Sequence, residues 1–138
     1  MNVNITKDQY NKIVKQAKDE FPLECCGLLG GIKTEEGIWI KKIYPLTNID
    51  QSSEHFSMDP KEQFAVIKEM RASGYLLVGN YHSHPYTPSR PSEEDKRLAY
   101  DASSIYGILS LKDQEPVLNF FKIVANESVE KLDSIFIE

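Results

Sequence analysis

Three prolines, Pro85, Pro88 and Pro91, fall within seven residues of this chain. Proline lacks a backbone N–H and its ring obstructs the preceding helical turn, so neither a helix nor a central strand runs through such a stretch. Residues His82–Pro91 are therefore predicted as an extended or turning loop. The loop separates two readable elements. Before it, Tyr75–Tyr81 reads as a strand; after it, Ser92 reads as the N-cap of a helix reaching about Asp101.

The remaining chain is punctuated as clearly. Thr6-Lys7-Asp8-Gln9 has the form of a capping box. Tyr10, Ile13, Val14 and Ala17 follow at helical spacing, which predicts an amphipathic helix ending near Phe21-Pro22. Cys25–Ile32 reads as a short buried strand closed by Gly30-Gly31. Gly37–Tyr44 reads as a second strand, ended by Pro45, and Asn48–Ser57 as a polar loop. Asp59-Pro60 is a helix start, with aspartate as N-cap and proline at the first helical position. Phe64, Ile67 and Met70 form that helix's buried side, and Gly74 stops it. Ile105–Leu111 and Val117–Val124 are strands, read as a hairpin, and Ser134–Ile137 is a weak last strand. With 138 residues, the chain is long enough to bury a core without disulfides. The expectation is one domain over residues 1–138, of α/β class, with a single mixed β-sheet layered with helices.

Composition narrows the function classes. The formal net charge is −5, and a phosphate backbone repels such a surface unless its basic residues cluster. The one basic cluster, Lys33, Lys41 and Lys42, is broken by acids, so nucleic acid is not expected as a partner. Apolar runs such as Leu76-Leu77-Val78 fall far short of the roughly 20 residues of a spanning helix, and Met1–Gln9 lacks an apolar signal core. No membrane association and a cytoplasmic location are expected. The two cysteines, Cys25 and Cys26, are adjacent. Neighbouring cysteines rarely bridge each other, and on a strand they face opposite ways.

The chemistry-bearing stretch is His82-Ser83-His84-Pro85, six residues, then Ser92-Glu93-Glu94-Asp95. Histidines at i and i+2 on extended chain point to the same side and can meet one ion. Catalytic zinc takes three nitrogen or carboxylate ligands and keeps one position open. Asp95 supplies the third, at the third position of a helix capped by Ser92. It is expected on the helix's buried face with Leu98, Ala99 and Ala102, and the helix N-terminus favours its charge. Glu93 and Glu94 turn away from that face. Each residue alone has an ordinary structural reading, a loop histidine, a helix-start acid or a simple cap; the joint spacing selects the metal site. A zinc hydrolase also needs a proton acceptor. Periodicity does not choose among the acids, but Glu24 stands out as a polar residue at the mouth of the apolar strand Cys25–Ile32. His55 is read as a surface residue, while Tyr81 and Tyr86 either shape a cleft or pack.

The pattern His-x-His-Pro-x6-Ser-x-x-Asp resembles that of the JAMM metallopeptidases, also called JAB/MPN or Mov34-type. Pro22–Gly30 resembles the family's upstream glutamate segment, and Phe56–Pro60 and Tyr106–Leu111 are also similar. The resemblance implies a JAB/MPN fold related to that of cytidine deaminases. It implies one zinc ion per chain, with His82, His84 and Asp95 as metal ligands. Glu24 is implied as catalytic acid/base, and Ser92 as a catalytic residue stabilising the oxyanion. The chain is short and is similar to compact prokaryotic members. Several of these cut after the C-terminal Gly-Gly of small ubiquitin-like or sulfur-carrier proteins, and some release cysteine from such a carrier. A partner of that kind is implied; the oligomeric state is open, a homodimer among the options.

Three other classes of protein meet these residues differently. A zinc base deaminase expects His-x-Glu and Pro-Cys-x-x-Cys, which the chain lacks. Non-catalytic MPN binding modules have generally lost ligands that this chain keeps. A phage-tail or cell-wall processing peptidase on the same fold fits the motif equally well.

Overall fold

The computed structural model describes residues 1–137. Ten elements follow in order: β1 (Asn2–Thr6), α1 (Lys7–Glu20), β2 (Cys26–Lys33), β3 (Gly37–Leu46), α2 (Pro60–Ala72), β4 (Leu76–His84), α3 (Glu93–Arg97), β5 (Ile105–Ser110), β6 (Val117–Val124) and β7 (Ser128–Ile137). The expected start signals operate. Thr6 and Gln9 form a reciprocal capping box on α1, and Asp59 caps α2 with Pro60 inside its first turn.

The sheet is mixed, as expected, but it closes on itself in the order β1-β3-β2-β4-β5-β6-β7, with β7 returning to pair in parallel with β1. An open layer flanked by helices is thus corrected to a closed barrel carrying them. Closure depends on the two strands that were hardest to read. β1 is only Asn-Val-Asn-Ile-Thr, yet Val3 and Ile5 are fully buried and Asn4 donates to the Ile38 carbonyl at 3.2 Å. β7 starts six residues before the expected Ser134, and among its first nine residues only Leu132 is buried.

Other differences have local causes. Pro45 lies inside β3 rather than ending it. β1 covers only Gly37–Trp39 of β3, so Pro45 sits where the outer edge has no strand to receive an N–H. Phe64 is 71 % exposed; α2 instead packs Val66, Ile67 and Met70 against Cys26, Leu28, Tyr44 and Leu46. α3 stops at Arg97, well before Asp101, so the expected face breaks up: Ala99 is buried, Leu98 and Ala102 are exposed.

Two apolar clusters lie on either side of β2. Cys25 joins the larger one with Ile13, Ala17, Leu29, Tyr81 and Phe120, whereas Cys26 joins the α2 side. The adjacent cysteines thus face opposite ways, are buried and unpaired, and burial pushes both thiols up to about 12. Among the described residues no helix is long and apolar enough to cross a membrane.

Candidate metal centre

The proline-rich loop begins later than expected, because β4 carries through His82, Ser83 and His84. β4 is paired on both sides at this end: His82 lies opposite Cys26 of β2 and Ile108 of β5. The two histidines project to one side, and both are buried. Ser83 points the other way and accepts from the Cys25 N–H at 2.8 Å, tying β4 to the chain beside Glu24.

The loop is pinned to the strands it passes. Ser110 Oγ donates to the Thr87 carbonyl and Ser89 Oγ to the Ile108 carbonyl, both at 2.6 Å, and Asn119 donates to the Ser89 carbonyl at 3.2 Å. The Pro88 carbonyl is thereby placed 2.9 Å from His84 Nδ1. A carbonyl only accepts, so Nδ1 carries a proton and Nε2 of the neutral ring presents its lone pair. Phe56 stacks on His82 with centroids 4.6 Å apart, fixing that ring's plane.

α3 brings Asp95 to the same point. Ser92 and Asp95 form a capping box: Ser92 Oγ accepts from the Asp95 N–H at 3.0 Å, and Asp95 Oδ2 accepts from the Ser92 N–H at 2.9 Å. The same Oδ2 stands 3.1 Å from His82 Nε2 and 3.0 Å from His84 Nε2, and the two Nε2 atoms are 3.1 Å apart. His82, His84 and Asp95 are so brought together as a group able to hold a metal ion.

The donor set fits a cation. Two ring nitrogens and a carboxylate oxygen converge, and one ring is already committed by Pro88 to offering a lone pair. The electrostatics agree. Burial disfavours the Asp95 charge, but the adjacent His82 and His84 rings and the Ser92 backbone N–H outweigh it and hold the carboxyl well below its usual range. Burial likewise opposes a charged His84, yet Asp95 and the Pro88 carbonyl raise its pKa. The pocket draws positive charge.

Glu24 lies just before β2, with its N–H donating to the Ser52 carbonyl at 2.8 Å and its carbonyl accepting from Asn48 Nδ2 at 3.0 Å. The residue is only 4 % exposed, and its Oε1 is buried without a partner. Burial pushes its pKa up to about 8; His84 counteracts this in part, while Asp95, Glu94 and Glu54 add to it. It is therefore a buried carboxyl whose charge is felt by His84 and Asp95.

Beside this group opens a cleft of about 440 Å³, lined by Phe56, Met58, Asn80, Tyr100, Tyr106 and Ile108 among others. Glu94 also lines it, whereas the Glu93 side chain is 86 % exposed. Tyr81 belongs to the core, its hydroxyl donating to Gln16 at 2.5 Å. Tyr86 is exposed and packs edge-on against Phe21. His55 is at the surface, bonded to Asp50 at 3.1 Å. Sequence reasoning gave no structural role to Asn48, which is buried and bonds the Glu24 and His55 carbonyls while accepting from the Asp50 and Ser57 N–H groups. Its only advance signal was a position between a strand and a polar loop.

The chain belongs to the family described as prokaryotic homologs of the JAB domain, whose pattern matches residues 6–124. It is similar to a CysO-cysteine peptidase of Mycobacterium tuberculosis, 31 % identical over 109 residues that cover 79 % of this chain and 73 % of that protein. A desampylase of Haloferax volcanii is 26 % identical over 113 residues, covering 78 % and 80 % of the two chains. A solution structure of a protein from Desulfitobacterium hafniense superposes with a TM-score of 0.90 at 47 % identity, covering all of this chain and 94 % of that one. A crystal structure of a JAB1/MPN domain protein from Archaeoglobus fulgidus shares the fold at a TM-score of 0.61 and 21 % identity, covering 98 % and 99 %.

Proposed function

We propose that residues 1–138 form one JAB/MPN metallopeptidase domain that hydrolyses the bond after the C-terminal Gly-Gly of a small ubiquitin-like or sulfur-carrier protein. The observation that carries the reading is the convergence of His82 Nε2, His84 Nε2 and Asp95 Oδ2 within 3.1 Å of one another, with the buried, partnerless carboxyl of Glu24 alongside. The similarity to a CysO-cysteine peptidase and a desampylase supports the carrier class.

His82, His84 and Asp95 hold one zinc ion, the metal their two nitrogens and one carboxylate suit. When bound, zinc supplies Lewis acidity and brings the pKa of a coordinated water to about 7. Glu24 accepts on its buried, partnerless Oε1 the proton given up by the attacking water and passes it to the leaving amine, a role suited to a carboxyl whose pKa burial pushes up to about 8. Ser92 Oγ accepts from the Asp95 N–H, which leaves its own proton to donate toward a developing oxyanion.

Closure of the barrel leaves no strand free along its whole length. A substrate tail therefore has no fully exposed strand to extend. The tail instead enters the cleft past Asn80, Tyr100 and Tyr106. Close approach to the ligand group favours glycine, whose backbone has no Cβ to hold it off.

The test is to incubate the protein with Gly-Gly-extended carriers from the same genome and weigh the products. Cleavage after the second glycine is expected, blocked by replacing that glycine with valine and indifferent to the residue that follows. Valine cut as readily as glycine, or scission at internal sites of unrelated folded proteins, replaces the carrier reading with a general processing peptidase.

A further inference from the structure

Asp95 stands on a helix too short to hold itself. α3 has five residues and none is buried, whereas isolated helices shorter than about 12–15 residues are marginal in water. Its placement depends on whatever satisfies its ends. The N-terminal end is closed by the Ser92–Asp95 capping box. At the other end the carbonyls of Lys96, Arg97 and Ala99 converge on one atom, Nδ2 of Asn126, at 3.0, 3.1 and 3.0 Å.

Asn126 sits in the turn between β6 and β7, where Val124 pairs with Ser128. Ala125 and Asn126 both take left-handed backbone, with φ of 56° and 57°. Asparagine tolerates that region better than most residues. Its amide nitrogen has two protons for three carbonyls, so any displacement of the helix end weakens at least one bond.

We propose that Asn126 is a positioning residue for the metal site, clasping the C-terminal end of α3 and so setting where Asp95 Oδ2 stands relative to His82 and His84. The inference rests on Asp95 being a ligand. Asp95 is not free to swing after a shifting partner, because its Oδ2 also accepts from the Ser92 N–H. Its position follows the helix. The histidines follow β4, which pairs with β5, which pairs with β6, whose turn carries Asn126. The clasp completes a circuit of hydrogen bonds from one set of ligands, through the barrel wall, to the other.

The full-length chain is titrated with cobalt(II), whose visible absorption reports ligand geometry. Asn126→Gly removes the amide and keeps access to positive φ. Asn126→Asp keeps the shape and turns a carboxylate toward three carbonyls. Loss of a group bonded directly to a ligand weakens metal binding by about 10–100-fold, and Asn126, acting through the helix end, falls at the lower limit. Asn126→Gly is expected to raise the cobalt Kd about 10-fold with altered visible bands, and Asn126→Asp to raise it further. Each variant is compared at a temperature where circular dichroism shows it folded. A Kd within about twofold of the parent and an unchanged spectrum in both variants overturn the clasp, even if thermal stability falls. Asp95→Ala separates the two ideas. If it loses cobalt while the Asn126 variants keep it, only the clasp fails. If it binds cobalt as the parent does, the ligand assignment fails and the clasp with it.

Discussion

The two histidines stand on a strand hydrogen-bonded to β2 on one side and β5 on the other, whereas the aspartate stands on a five-residue helix without a buried residue. The His82 and His84 rings are further fixed by Phe56 and by the Pro88 carbonyl. Asp95 has an exposed cap residue, Ser92, at one end of its helix and one asparagine amide at the other. One half of the site is thus held by the core, and the other by a few polar contacts at the surface. Such an arrangement fixes the two histidines on the strand and leaves the carboxylate side adjustable, since surface polar contacts open more readily than ladder bonds.

The largest effects come from removing a ligand, and they should differ between the halves. His84→Ala and Asp95→Ala are both expected to lose bound zinc and all measurable turnover, checked by metal analysis of the purified chains. Asp95→Ala also removes the acceptor for the Ser92 N–H, so it should lower metal-free stability by about 0.5–2 kcal/mol. His84→Ala leaves that cap intact. Equal stability losses in the two variants would erase the distinction between strand and helix.

Glu24 belongs to the buried half but lies outside the convergent His82, His84 and Asp95 group, so its variants can separate turnover from metal binding. Glu24→Gln should retain zinc and lower turnover by about 10²–10⁴-fold. A near-parental rate would mean another base. Its titration adds a second signature in the metal-free protein. The folded-state pKa is raised from 4.5 to about 8 by burial. The protonated form thus stabilises the fold fully below about pH 4.5, and that contribution is lost as pH rises through about 8. Parent and Glu24→Gln melting temperatures should therefore diverge between pH 5 and 9, the parent falling relative to the variant. Parallel curves would show that Glu24 is not buried in solution.

The same contrast governs what could be read in advance. His82, His84, Ser92 and Asp95 were legible because a strand and a helix start each impose a fixed side-chain direction, so spacing alone converges them. Glu24 stood out only as a polar residue at a strand mouth and took its role from resemblance; the bonds that hold its backbone come from Asn48 and Ser52, which no local pattern reveals. β1 was missed, and β7 was read only in its last four residues, Ser134–Ile137. β1 is so short that its alternation merges into the capping box at Thr6, and β7 buries a single leucine along most of its length. Because these two strands close the barrel, the ring was hidden while the strands around the histidines were not. Asn126 was wholly illegible, since its partners lie 27 to 30 residues away.

Ser92 tests the helix half by itself. As a cap alone, Ser92→Ala costs about 0.5–2 kcal/mol of stability and leaves turnover intact. As an oxyanion donor as well, it lowers turnover by up to about 10²–10³-fold where the protein remains folded. Both effects are expected, because the hydroxyl accepts from the Asp95 N–H and still has a proton to give. Calorimetry and steady-state rates on the same sample decide it; an unchanged rate leaves only the cap.

The smallest expected effect is a gain. Ala125 is exposed and holds a φ of 56° beside Asn126. Left-handed backbone is disfavoured for residues with a Cβ by about 1–2 kcal/mol. Glycine relieves this, less its greater freedom in the unfolded chain. Ala125→Gly should therefore stabilise the metal-free protein by about 0.5–1 kcal/mol, read as a rise of a few degrees in Tm. The change touches none of the bonds from Asn126 to α3, so cobalt affinity should stay at the parental value. Stability and ligand placement would then move independently within two adjacent residues of one turn. If affinity rises in step with Tm, the turn acts on the metal site merely by being stable, and the surface half of the centre is held by general rigidity rather than by the Asn126 amide.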